Sequence, residues 1–187
     1  MRLMFFEVSS IISMKQIEIK GKHQCDKINK ANDPNNLDII AKRDCMQLLP
    51  DFVFETYFQE QIINKLYLNY DFEYKKELLR EIDKKITSYK TQDITKNKYD
   101  DNNISREQTI EKIVTSKLKC YYCKCNMKLL YKKVRDMEQW TLDRIDNDLP
   151  HQDNNVIVCC LKCNLQRRRQ TKDKFLFTKQ LNIKKLN

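Results

Sequence analysis

The chain has 187 residues, a net charge of +10, 41% apolar residues and a single glycine, Gly21. Its length suits one domain or two small ones, and the scarcity of glycine and proline argues against a sandwich or barrel built on tight turns. The positive charge is local: residues 160–187 carry nine basic side chains against Asp173 alone, a segment charge of +8 that leaves +2 for the rest. Such a patch is the electrostatic footprint expected for a polyanion.

Residues 3–14 are apolar but broken by Glu7, without a small-residue cleavage site, so no secretory signal is read there. No run approaches the ~18 apolar residues of a membrane span. Ile17 and Ile19 alternate before Gly21 and suit a short strand. Leu37, Ile40, Ala41, Cys45 and Leu48 follow helical spacing, with Asp33-Pro34 as the start and Pro50 as the stop. Two more stripes follow, Phe54, Tyr57, Phe58, Ile62 and Leu66, then Leu78, Leu79, Ile82, Ile86 and Tyr89. Residues 1–90 therefore read as a mainly helical region whose aromatics pack a core. Nothing in it carries recognisable chemistry, and a role in docking a protein partner stays open.

Residues 91–104 are polar and poor in apolar side chains, and read as a linker or mobile loop. A helix restarts at Ser105, where Ser105 and Gln108 have capping-box spacing. Its apolar face holds Ile110, Ile113, Val114 and Leu118, and it runs into Cys120. Beyond that lie a strand over 140–145, a polar loop over 146–154 and a buried strand at 156–158. A last helix carries Cys163 and Asn164 into Arg167, Arg168 and Arg169.

Cys120 and Cys123 form one CxxC pair, Cys160 and Cys163 another. Two such knuckles place four thiolates tetrahedrally around a structural Zn²⁺. Such a site contributes on the order of 10 kcal/mol of folding free energy. Cys125 competes with Cys123, and Cys159 with Cys160, but the two-residue gap favours Cys123 and Cys160. Cys25 and Cys45 have no spacing partner. Thiols used this way fit a reducing intracellular compartment, whether cytoplasmic, nuclear or viral.

Residues 120–169 resemble the HNH endonuclease family, in the version whose ββα-metal core is clamped by a four-cysteine zinc. That pattern runs CxxC, an Asp-His dipeptide on the first strand, an Asn before the second strand, then CxxCN. The matching positions are Cys120, Cys123, Asp143, Arg144, Asn155, Cys160, Cys163 and Asn164. The resemblance implies an α+β fold, with a helical N-terminal region followed by a zinc-clamped HNH-like module over 105–187. It implies that Asp143 and Asn164 bind a catalytic Mg²⁺ or Mn²⁺, and that Asn155 braces the loop. Arg167–Arg169, joined by Lys172 and Lys174, would follow the backbone of double-stranded DNA.

The chain departs from the family at Arg144, which stands where the family has its general-base histidine. A guanidinium stays protonated and cannot accept the proton. Arg144 suits the phosphate instead. His151 is the nearest replacement base, or a metal-bound hydroxide oriented by Asp146 serves. Three functions follow: a metal-dependent DNA endonuclease, a degenerate zinc module that binds nucleic acid without cutting it, and a zinc-stapled interaction subunit.

Overall fold

The computed structural model describes residues 43–181. The expectations of a strand near Ile17 and of a helix starting at Asp33 fall outside that range, as do Cys25, Lys184 and Lys185. The described chain is α+β: six α-helices and one two-stranded antiparallel sheet.

A short helix α1 (Asp44–Gln47) and a 3₁₀ turn (Asp51–Phe54) lead into α2 (Thr56–Tyr67) and the 21-residue α3 (Lys75–Thr95). Ile62, Leu66, Leu78, Ile82 and Tyr89 are buried as their spacing requires, whereas Tyr57 faces solvent. Helix α4 (Arg106–Thr115) begins at Ser105, whose hydroxyl accepts from the Gln108 amide while the Gln108 side chain accepts from the Ser105 N–H. Strand β1 (Trp140–Arg144) pairs with β2 (Val156–Cys160), with Leu142 opposite Val158. Helix α5 (Leu161–Arg167) follows without a break, and α6 (Lys172–Gln180) closes the described chain.

One hydrophobic core runs from Met46 to Phe175 through Ile82, Ile113, Leu130 and Trp140. The described helices and the cysteine-bearing segment are therefore one packed unit, not a helical region and a separate module. The expected linker at 91–104 dissolves on the same ground. Residues 91–95 are the last turn of α3. Beyond them Ile104 is buried and its N–H donates to the His151 carbonyl at 2.7 Å, while Lys98 Nζ donates to the Asn147 carbonyl at 2.7 Å.

The way α3 meets the sheet positions everything else. A strand with one neighbour leaves every second N–H and C=O unpaired, and buried groups of that kind need partners. Lys85, Tyr89 and Asp93 supply side chains along β1. Lys85 Nζ donates to the Trp140 carbonyl, the Tyr89 hydroxyl accepts from the Leu142 N–H at 3.0 Å, and Asp93 meets the Arg144 guanidinium at 3.4 Å. Four residues of helix advance about 6 Å and two of strand about 6.6 Å, so every fourth helical side chain meets every second strand residue. Among the described residues no helix is long and apolar enough to cross a membrane.

Candidate functional site

Cys120, Cys123, Cys160 and Cys163 bring their sulfurs within 4.8 Å of one another, a cluster that can hold a metal ion such as Zn²⁺. The strand's alternation selects the ligand at the end of β2. Cys159 lies opposite Thr141 and meets its hydroxyl, whereas Cys160 lies opposite Trp140, on the face where the Cys160 N–H donates to Cys120 Sγ at 3.3 Å. Cys125 stays outside the four, though its sulfur is 3.3 Å from that of Cys123. Lys124, with a left-handed φ of 60°, turns the chain after Cys123. The thiols act on each other: a hydrogen bond from Cys160 pulls the pKa of Cys120 down and pushes that of Cys160 up.

Helix α5 lies along the same edge of β1 that α3 grips. Asn164 Nδ2 donates to the Thr141 hydroxyl at 3.1 Å and to the Leu142 carbonyl at 3.3 Å. One turn later Arg167 Nη2 donates to the Arg144 carbonyl at 2.5 Å. Thr141 and Asp143 project from one side of the strand, so Asn164 and Asp143 share a face of the module.

Asp143 is buried and fully engaged. Arg167 Nη2 donates to Oδ1 at 2.8 Å, Nε lies 2.6 Å from Oδ2, and the Tyr122 hydroxyl donates to Oδ2 at 2.7 Å. Burial and that carboxylate hold the Tyr122 hydroxyl protonated. Arg167 is itself only 1% exposed. The expectation that Arg167 follows a nucleic-acid backbone is therefore corrected, because its guanidinium neutralises Asp143. Helix α5 also ends at Arg167, leaving Arg168 and Arg169 in the turn beyond it.

Arg144 is tied to Asp93 and donates to the Leu149 carbonyl at 3.3 Å. His151 is 4% exposed. Its Nδ1 is 2.8 Å from Asp93 Oδ2, its N–H donates to the same oxygen at 2.8 Å, and its ring stacks on Tyr89 with centroids 4.6 Å apart. Burial pushes the imidazole down, against the pull of Asp93. Asn155 spans the loop: its Nδ2 donates to the carbonyls of Asp146 and Pro150, and its Oδ1 accepts from the Asp146 N–H at 2.9 Å.

A cleft of about 890 Å³ opens beside this cluster. Lys96, Lys98, Arg144, Arg169 and Lys172 bring positive charge to its walls, Asp146, Asp148 and Asp173 negative charge, and Arg167 reaches it from the buried side. His151, Asp143 and Asn164 are not on its walls. Arg168 and Lys174 are exposed outside it. Sequence reasoning missed Asp93, which holds both Arg144 and His151, and Tyr122, which sits inside the first CxxC pair. Tyr122 had a signal in that position; Asp93 looked like one more solvated charge.

No protein-family model, curated protein or solved structure matches the chain.

Proposed function

We propose that this chain is an HNH-type nuclease that hydrolyses phosphodiester bonds in DNA with the help of a divalent cation. The observation that carries the reading is that Asp143 of β1 and Asn164, which bonds Thr141 and Leu142 of the same strand, share one face of a hairpin that ends in a four-cysteine cluster. In this reading the four thiolates hold a structural Zn²⁺ that fixes α5 against the sheet. A carboxylate and an amide oxygen form a hard-donor pair suited to Mg²⁺ or Mn²⁺, and such an ion, when bound, supplies charge for the scissile phosphate. Asn164 commits its NH₂ to the β1 backbone; its carbonyl oxygen is the donor it would offer.

The chain's own residues divide the rest of the work. Arg144, held by Asp93 on the cleft wall, steadies a phosphate oxygen. Arg169, Lys172, Lys96 and Lys98 hold the backbone without reading sequence. His151 lies under α3 with Nδ1 committed to Asp93, so we assign it the bracing of the loop, not the activation of water. Asp146 is one of three exposed carboxylates at the cleft, with Asp148 and Asp173, and lies nearest Asp143 in the chain; it is the better group to orient the attacking water.

A second reading, a module that binds nucleic acid without cutting it, is favoured by the ion pair that occupies Asp143. Purified full-length protein with Mn²⁺ should nick supercoiled plasmid, and Asp143→Ala should abolish nicking while zinc stays bound. Salt-sensitive binding with no nicking under any divalent ion would establish the second reading instead.

A further inference from the structure

We infer that Arg167 and a divalent cation compete for the Asp143 carboxylate, so that Arg167 keeps the site closed until the cation displaces it. The inference rests on the nuclease reading above and gives that site a device of its own.

A carboxylate as buried as Asp143 needs a positive partner, since an unpaired buried charge is strongly destabilising. Arg167 is that partner, and it faces both oxygens. The guanidinium thus occupies the side from which a cation would approach. Both cannot hold the same two oxygens, and exchanging one for the other keeps the carboxylate neutralised.

The pair is also imperfectly aligned. Only one of its two contacts is an aligned hydrogen bond: Nε, though buried and 2.6 Å from Oδ2, makes no hydrogen bond of good geometry. The guanidinium has three further acceptors, the Gln170 carbonyl at 2.6 Å, the Arg144 carbonyl at 2.5 Å and Asn147 Oδ1 at 3.0 Å. Nη2 serves two of these as well as Asp143 Oδ1, so a cation that displaces the guanidinium must draw it from them too. The Tyr122 hydroxyl also holds Oδ2, so the carboxylate stays oriented after the exchange. Arg167 also reaches the cleft, where a freed guanidinium meets the incoming phosphodiester.

The test is Mn²⁺ binding to the zinc-loaded full-length protein, read by the electron paramagnetic resonance signal of free Mn²⁺. Arg167→Met should bind Mn²⁺ at least about tenfold more tightly than the wild type, because the competitor is gone and the buried carboxylate is left bare. Arg167→Lys should fall between them, since an ammonium lacks the two-pronged fork, and it serves as the second variant if Arg167→Met does not fold. Asp143→Asn should lose the site. Zinc content and far-ultraviolet circular dichroism identify the folded variants.

Folded Arg167 variants that bind Mn²⁺ no more tightly than the wild type overturn the competition, and if the wild type itself binds through Asp143 they leave the nuclease reading standing. Absence of an Asp143-dependent Mn²⁺ site in the wild type and in every folded variant overturns both.

Discussion

Lys85 shows what a single polar side chain does at the edge of this core. Its ammonium donates to Gln139 Oε1 at 2.8 Å and to the Trp140 carbonyl, and it lies 4.7 Å from the centre of the Trp140 ring. Burial pulls its pKa from the usual 10.5 down to about 7, with Glu81 opposing the shift. Between those values the unfolded chain holds a proton that the folded chain has released. Stability therefore rises with pH from about 7 to about 10.5, and below 7 the cost of burying the charge is fully present. Denaturant unfolding at pH 7 and pH 9.5 should show the wild type gaining on the order of 2 kcal/mol relative to Lys85→Met. Parallel behaviour of the two proteins would mean that Lys85 does not titrate in this window. None of this is legible in the sequence, where Lys85, Tyr89 and Asp93 lie on a helix otherwise rich in charge. A lysine and an aspartate at such spacing look like a solvated face until a strand edge is laid against them.

Among the elements, the hairpin and the helices that grip it account for most of what the sequence did and did not reveal. The strands expected at 140–145 and 156–158 and the helix after them announce themselves by their apolar pattern and by the CxxC pair. The end of α5 does not. Arg168 takes φ 52° and ψ −113°, a conformation natural to glycine, in a chain whose one glycine is Gly21. Its side chain is exposed, while its carbonyl accepts from Asn147 Nδ2 at 3.1 Å. A non-glycine residue held there costs on the order of 1–3 kcal/mol, and the nuclease proposed above would use this arginine's charge against the nucleic-acid backbone. Arg168→Gly should raise the unfolding free energy by about 1 kcal/mol and weaken nucleic-acid binding together. Thermal unfolding and a salt titration of binding read the two effects, and a gain in stability with unchanged binding would remove Arg168 from the interface.

At the scale of the whole molecule, the cysteine pattern foretold the four-sulfur cluster but not its dependence on residues far upstream. The candidate site is completed by α3, through Asp93 on Arg144 and His151, and the polar composition of 91–104 concealed this. Gln59 makes the same kind of connection: its amide accepts from the Leu129 N–H at 2.6 Å and donates to the Leu130 carbonyl at 3.0 Å, fully buried. These polar bridges make the helices depend on the cysteine-bearing segment. If the four sulfurs hold Zn²⁺ as proposed, its loss releases the ends of the hairpin at a cost on the order of 10 kcal/mol. Asp93, with none of its surface exposed, then loses both Arg144 and His151, and an unpaired buried carboxylate cannot keep its place. Removing zinc with a strong chelator under reducing conditions should therefore speed amide exchange in β1, β2 and α5 and also over residues 85–95 of α3. Loss of protection confined to the hairpin, with α3 still as protected as before, would show that the helices stand without it and that the core is two units after all.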